Sequence, residues 1–191
     1  MSVRFLLTLC IACALAAPAH AQSRVYVHPY AGVLDLDLEP SAVLGLDIDE
    51  GVLWGGALGY ELHDRIAIEG HYATSRVAAR ADGFPTFHIR FHFLHAGVRA
   101  VALPTKHVDY AVSVLPGVIV ATNELTDATT NLAVPLGIEA LILKGRRIVA
   151  RVGVRDMLHR CAPPEELDGF LCDDGEWLHH LVATAGIEIG L

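Results

Sequence analysis

Apolar positions alternate with small or polar positions along eight stretches of the chain. A period of two residues is the repeat of a β-strand, in which successive side chains point to opposite faces. Each stretch has about the length that a tilted strand needs to cross a bilayer. The pattern therefore predicts an all-β protein with eight strands, at residues 25–34, 53–61, 66–74, 92–102, 108–121, 132–143, 148–157 and 179–191.

The gaps between these segments alternate between short and long. The short gaps are 62–65, 103–107 and 144–147, and they carry turn-forming residues with mostly basic charge. The long gaps are 35–52, 75–91, 122–131 and 158–178, and they are acidic or mixed and rich in Gly, Pro, Asp and Thr. Tight turns at one end and larger loops at the other are typical of an eight-stranded antiparallel up-and-down transmembrane β-barrel with short periplasmic turns. A soluble β-sandwich has no reason to sort its loops in this way.

The two faces of each predicted strand differ in composition. In segment 148–157 one parity gives Ile148, Ala150, Val152 and Val154, and the other gives Val149, Arg151, Gly153 and Arg155. The segments around 134–142 and 181–191 repeat this contrast. The second face carries too few charges for a solvated surface. It suits the narrow interior of an eight-stranded barrel, where small residues make room for a few long side chains.

Isolated charges on the second face would all point into the barrel. An ion buried without a partner is costly, so we expect these groups to pair across the lumen. Two interpretations stay open: a polar pathway or gate, and a plug of satisfied charges that fixes strand register. The lumen of eight strands is wide enough only for its own side chains, which favours the plug. The predicted luminal charge network consists of Glu69, Arg99, Glu139, Arg151, Arg155 and Glu188, with His95 and Asp109 as possible members.

The beginning of the chain has the pattern of a removable export signal. Arg4 precedes an almost purely apolar stretch at 5–17, and Pro18 ends that stretch. The small-x-small sequence at 19–21 then predicts cleavage between Ala21 and Gln22. An uncleaved anchor is the alternative, but the apolar run is too short to span a bilayer. We therefore expect a signal peptide at 1–21 and one domain at 22–191.

Composition supports this interpretation. Apolar residues make up 53% of the chain, yet its best candidate for a membrane helix, 110–123, contains Pro116-Gly117 and is too short. Only helices and closed barrels satisfy every backbone group in lipid, so this combination favours a barrel. Removing segment 1–21 with its single basic residue leaves 13 of the 14 Lys and Arg against 22 Asp and Glu, a formal charge of −9. This balance argues against nucleic acid as a partner.

Two cysteines follow the predicted signal peptide, Cys161 and Cys172. An even pair in an oxidising compartment predicts a disulfide. A metal pair is the alternative, but no nearby His-x-His or second Cys pair completes a tetrahedral set.

Other candidates for metal chemistry are weak in this sequence. His88 and His92 share one parity and lie about 13 Å apart along a strand, too far to share an ion. His95 has the opposite parity unless a bulge intervenes, and a change of apolar parity between Phe93 and Leu94 permits one. The first long gap is acidic, and a solvated hairpin tip explains it better than a cation site. Its acidic residues are Asp35, Asp37, Glu39, Asp47, Asp49 and Glu50.

Catalytic patterns are equally weak. The chain has no Gly-x-Ser-x-Gly elbow, and its few serines after residue 21 have no obvious His partner. We predict no catalytic residue, no metal and no cofactor, and therefore a protein that is not an enzyme.

Three stretches carry a family resemblance: the opening VYVHPYAGVL, the hairpin LWGGALGYELHDRIAIEGHY and the closing LVATAGIEIGL. Together with the export signal they resemble the outer-membrane protein β-barrel domain family, the OmpA/OmpX-like eight-stranded barrels. The resemblance implies a monomer in the bacterial cell outer membrane, with membrane lipid, lipopolysaccharide and the barrel-assembly machinery as partners. It also implies an aromatic girdle near the strand ends, for which the candidates are Tyr26, Tyr30, Trp54, Tyr60, Tyr72, Phe91, Phe93, Tyr110 and Trp177.

Three hypotheses of function follow. The leading one is a non-enzymatic outer-membrane barrel with a structural or surface-interaction role through its outer loops. The second is a narrow channel that uses the luminal Glu and Arg residues. The third is a soluble secreted barrel that binds an apolar ligand.

Overall fold

The computed structural model describes residues 25–36, 47–48, 50–80, 86–123, 128–142, 147–160 and 177–191. No helix in these ranges is long and apolar enough to cross a membrane. The described strands are β1 (Val25–Leu36), β2 (Asp47–Ile48), β3 (Gly51–His63), β4 (Ile66–Arg80), β5 (Phe87–Pro104), β6 (Val108–Val114), β7 (Gly117–Asn123), β8 (Thr129–Ile142), β9 (Ile148–Arg160), β10 (Trp177–Leu178) and β11 (His180–Gly190).

The long strands form a closed antiparallel ring. Strand β1 pairs with β3, β3 with β4, β4 with β5, and β5 with both β6 and β7. Strands β6 and β7 both pair with β8, β8 pairs with β9, β9 with β11, and β11 returns to β1. The predicted fold, an eight-stranded antiparallel up-and-down β-barrel, is confirmed.

Strands β6 and β7 are two parts of one barrel strand, interrupted at Leu115 and Pro116. Proline has no backbone N–H to give to a sheet ladder, so the regular pairing stops there. Flanking hydrogen bonds carry the sheet across the gap. The N–H of Ala96 donates to the Pro116 carbonyl at 3.0 Å, and the N–H of Leu115 donates to the Pro135 carbonyl at 3.0 Å.

Several strands extend further toward the long gaps than the sequence pattern predicted. Strand β4 ends at Arg80, six residues past its predicted end, and β5 begins at Phe87, five residues before its predicted start. Their pairing is continuous up to Ala79 opposite Phe87. Buried Val77, Ala79 and Ile89 form a small apolar cluster there. This inward-facing cluster stabilises the extension, and the predicted gap 75–91 contracts accordingly.

The bulge permitted between Phe93 and Leu94 is not present. Strands β4 and β5 keep one register through this point, and β5 shifts register against β6 between Val101 and Leu103 instead. Phe93 points inward and is 2% exposed, whereas Leu94 points outward and is 59% exposed. The apolar parity changes because the barrel interior itself becomes apolar at this level.

The outward face is strongly apolar all around the ring. Ile138 is 67% exposed, Leu132 is 64% exposed and Leu58 is 58% exposed. The inward face carries most of the buried charged groups of the described residues. A broad exposed apolar surface around buried charges is unusual for a water-soluble protein, in which charged side chains are rarely buried.

Some predictions concern residues outside the described ranges. These are the signal peptide at 1–21, its cleavage between Ala21 and Gln22, and the disulfide between Cys161 and Cys172. They stay predictions.

Candidate functional site

Strand alternation places six charged side chains on the inward face. They are all buried, with exposed fractions of 8% or less. We call them the luminal charge cluster: Glu69 on β4, Arg99 on β5, Glu139 on β8, Arg151 and Arg155 on β9, and Glu188 on β11.

Arg151 lies at the centre of the luminal charge cluster. Its Nη1 and Nη2 donate to Oε1 and Oε2 of Glu69 at 2.8 and 2.9 Å. Its Nε donates to Oε2 of Glu139 at 2.7 Å, and Nη1 lies 3.5 Å from Oε2 of Glu188. One guanidinium group thus holds three carboxylates that come from three different strands. The planar fork of arginine suits such multiple contacts.

Glu69 collects further donors around the same position. The Tyr26 hydroxyl donates to its Oε1 at 2.5 Å, and Nε2 of His71 lies 2.8 Å from its Oε2. Arg99 approaches through Nε, at 3.1 Å from Oε1. Charge-assisted hydrogen bonds of this kind compensate for the loss of water around a buried carboxylate.

Arg99 connects Glu69 to the last strand. Its Nη1 lies 3.2 Å from Oε2 of Glu188, and its Nη2 donates to the Tyr26 hydroxyl oxygen at 3.1 Å. Its guanidinium carbon also lies 5.1 Å from the centre of the Tyr26 ring, a cation–π geometry. Tyr26 was not among the residues predicted for this site, although its inward parity on β1 was readable from the sequence.

Arg155 extends the cluster toward the long-gap end. Its Nη2 donates to Oε1 of Glu139 at 2.7 Å, and its guanidinium carbon lies 5.5 Å from the Tyr30 ring centre. The cluster then holds three carboxylates and three guanidinium groups, so its formal charges cancel. A balanced and hydrogen-bonded set can be buried where a single ion could not.

The two possible members of the network lie elsewhere in the lumen. His95 is buried, and its ring lies tilted against the ring of Phe93, with 6.2 Å between the ring centres. Its Nε2 has no hydrogen-bond partner among the described residues. Asp109 lies near a short turn, where its Oδ1 accepts a hydrogen bond from the N–H of Thr105 at 3.2 Å. This contact helps to close the turn between β5 and β6.

Glycines stand directly opposite the long charged side chains. Cross-strand register pairs Glu139 with Gly153 and Arg155 with Gly137. A Cβ atom at Gly153 would lie 2.8 Å from Cγ of Glu139, and one at Gly137 would lie 2.9 Å from Cγ of Arg155. The absence of a side chain on one strand is therefore what admits the charge from its neighbour.

A buried apolar layer lies in the lumen on the long-gap side of the cluster. Along β9, the next inward residue after Arg155 is Met157, and along β4 the next after His71 is Ala73. This apolar layer was not predicted from the sequence. Its members are Tyr30, Leu34, Leu53, Ala73, Phe93, Ile119, Ala133, Met157 and Val182, with Phe91 packed against it.

The predicted aromatic girdle needs correction because part of it faces the lumen. Tyr26, Tyr30 and Phe93 are buried inside the barrel, at 2%, 7% and 2% exposure. All three lie at inward-facing positions of their strands. The girdle was predicted from nearness to strand ends, and that criterion does not distinguish the inward from the outward face. Among the described residues, the exposed aromatic side chains are Trp54, Tyr60, Tyr72, Tyr110 and Trp177.

Two histidines of β5 point to opposite sides of the barrel wall. His92 hydrogen-bonds through Nδ1 to the outward Tyr72 hydroxyl at 2.9 Å, whereas His95 points inward. Two other lumen histidines, His159 and His180, lie with their ring centres 4.6 Å apart. In the part of the chain that the structure describes, no three potential ligands gather around one point.

Comparison with known proteins supports the fold through structure alone. No protein-family model and no curated protein sequence matches the chain. Neisserial surface protein A is similar over 88% of this chain and 98% of its own, with a TM-score of 0.56 and 11% identity. The outer membrane protein OprG from Pseudomonas aeruginosa is similar over 87% and 95%, with a TM-score of 0.57 and 10% identity.

A third similar structure is Ail, the attachment invasion locus protein of Yersinia pestis, solved with the heparin analogue sucrose octasulfate. It covers 86% of this chain and 97% of its own, with a TM-score of 0.50 and 11% identity. The closed ring of eight strands found here is thus the fold of the OmpA/OmpX-like outer-membrane β-barrels.

Proposed function

We propose that this chain is a non-enzymatic β-barrel of the bacterial outer membrane, with a structural or surface-interaction role through its outer loops. The observation that carries the proposal is the belt of exposed aliphatic side chains around a closed ring of strands. In water such a belt would promote aggregation, whereas in lipid it is the favourable surface.

The height of the belt fits a bilayer. On β8 the outward apolar positions run from Leu132 to Ile142. Ten residues at about 3.3 Å each, tilted by about 40°, span about 25 Å along the barrel axis. That is the height of the apolar band on outer-membrane barrels.

Exposed aromatic residues lie at both edges of the belt. Tyr60 and Tyr110 lie near the short turns, at 39% and 45% exposure. Trp54 and Tyr72 lie toward the long gaps, at 63% and 51% exposure. Tyrosine and tryptophan favour the interface between lipid and water, because their rings are apolar and their tips are polar.

The interior supports a plug rather than a channel. A charge-balanced cluster occupies one level of the lumen, and the apolar layer lies next to it on the side of the long gaps. Water and ions crossing the barrel would have to displace both. The interaction role is then assigned to the long segments that connect the strands. The structurally similar Ail protein is named for attachment, which is consistent with such a role.

Fractionation and gel migration test this proposal. We expect the protein in the outer-membrane fraction, with an unheated SDS-gel band that shifts after boiling because folded barrels resist SDS. A freely soluble periplasmic protein whose migration does not change on heating would refute the membrane proposal. That outcome would favour the soluble barrel that binds an apolar ligand.

A further inference from the structure

Two arginines stand directly opposite each other on the outer wall of the barrel. Arg76 on β4 pairs in register with Arg90 on β5, and both side chains are exposed. Like charges directly opposite each other on a sheet destabilise it. This repulsion would be removed if a negatively charged group lay between the two guanidinium groups.

No carboxylate of the described residues forms an ion pair with either arginine. Instead the two arginines line a shallow, open cleft on the outward face. The other residues of this cleft are Val52, Trp54, Thr74, Ser75 and His92. The cleft is therefore cationic on one side and apolar on the side of Trp54 and Val52.

The position of the cleft along the barrel indicates what it meets. Outward residues of β4 change from Ile66 and Ile68 to Tyr72 and then to Arg76. Arg76 lies four residues beyond Tyr72, about 13 Å along the strand and about 10 Å along the axis after tilt. Because the exposed ring of Tyr72 lies at the edge of the hydrocarbon, the two arginines beyond it lie at the depth of the lipid headgroups. They lie at the long-gap end, which faces the outer leaflet in such barrels.

We propose that the Arg76–Arg90 cleft binds a phosphorylated lipid headgroup of the outer leaflet. This inference rests on the proposed insertion into the outer membrane. A phosphate group between the two guanidinium groups would remove their mutual repulsion and accept hydrogen bonds from both. Trp54 and Val52 would contact the apolar part of the same lipid. A free anion would use the arginines but gain nothing from this apolar wall.

Trp54 supplies a reporter inside the cleft. The chain has two tryptophans, so a Trp177→Phe background leaves Trp54 as the sole emitter. The protein is inserted into phosphatidylcholine nanodiscs that contain increasing mole fractions of lipid A with both phosphates. Binding is measured from the change in Trp54 fluorescence. Dephosphorylated lipid A is the control lipid, because it keeps the acyl chains and lacks the phosphates. Inorganic phosphate and sucrose octasulfate are the free-anion arms.

We expect saturable binding of phosphorylated lipid A that weakens about tenfold or more in the double variant Arg76→Gln/Arg90→Gln. Arg160→Gln is the matched control. Arg160 is exposed at the same end of the barrel but on β9, on the opposite side of the ring from β4. That control should change the affinity by about twofold at most, as expected for a remote surface charge.

Three outcomes would overturn the proposed site: unchanged affinity in the double variant, equal binding of dephosphorylated lipid A, or equally tight binding of either free anion. Heat-modifiable migration is recorded for every variant. Inserted protein with one of these outcomes rejects the cleft alone. A wild-type chain that does not insert rejects the membrane proposal, and the lipid site with it.

Discussion

Arg151 and Glu69 form a two-point ion pair across the full width of the lumen, with N–O distances of 2.8 and 2.9 Å. They lie on β9 and β4, which are separated by three strands on one side of the ring. On the other side, β8, β5 and the interrupted strand formed by β6 and β7 separate them. The pair therefore ties opposite walls of the barrel together and fixes their relative height.

Removing the central guanidinium should destabilise the barrel strongly. Arg151→Met leaves Glu69, Glu139 and Glu188 facing two arginines, and breaking a buried ion pair costs about 3–5 kcal/mol. Urea unfolding in lipid vesicles, followed by tryptophan fluorescence, measures this loss. The surface variant Arg160→Met serves as control.

The double variant Arg151→Met/Glu69→Gln should recover part of that stability. It restores equal numbers of carboxylates and guanidinium groups, so the two changes should not be additive. Additive losses, or a single-variant loss below about 1 kcal/mol, would contradict the assigned role of the cluster.

Two glycines on adjacent strands should respond in opposite ways to the same substitution. A Cβ atom at Gly59 would collide with the ring of Tyr26, whereas nothing lies within 4 Å of one at Gly70. We expect Gly59→Ala to destabilise by about 1–3 kcal/mol, because Tyr26 must leave its hydrogen bonds to Glu69 and Arg99. Gly70→Ala should be neutral or slightly stabilising. Equal effects in urea unfolding would contradict this packing.

The cost in stability of a charged side chain on the outer wall should depend on its depth in the membrane. Ile138 lies in the middle of the apolar run of β8, and Leu132 lies near its end, with exposed Thr130 beyond. In lipid, Ile138→Arg should cost about 2–4 kcal/mol and Leu132→Arg about 0–1 kcal/mol. Equilibrium unfolding from vesicles measures both variants. A soluble barrel would tolerate both changes alike, so equal small effects would argue against membrane insertion.

The filled lumen should not conduct. Wild-type protein in planar bilayers should give no stepwise current, since the luminal charge cluster and the apolar layer both obstruct the axis. Reproducible steps in the wild type that are lost or altered in Glu139→Ala or Arg151→Ala would instead establish the channel hypothesis.

The predicted disulfide is accessible to a chemical test. Cys161 and Cys172 should resist alkylation until a reductant is added. Mass spectrometry of a peptic digest should detect the two cysteine-containing peptides linked by a disulfide. Modification of both thiols without reductant would show that the bond does not form.

Local patterns in the sequence were sufficient to predict the number of strands and the direction of most side chains. Alternation assigns inward or outward parity residue by residue, so the sequence alone places Arg151, Arg155 and Glu188 inside the barrel. The pattern was weaker where both faces are apolar. There it gave no parity for Phe93 beside Leu94. Strands β4 and β5 were predicted too short for a different reason: their extensions carry the exposed Arg76 and Arg90, so the apolar alternation ends before the strands do.

Sequence alone predicted the export signal, and it determined the alternation of eight strands and the set of charges that face inward. The tertiary structure decided which of those charges meet. Glu69 and Arg151 are 82 residues apart, and only ring closure and strand register bring them to 2.8 Å. It also decided that Tyr30 and Phe93 lie inside an apolar layer rather than at the membrane surface. A period of two residues fixes which way a side chain points relative to its own neighbours, whereas the partner it reaches depends on strands that are distant in sequence.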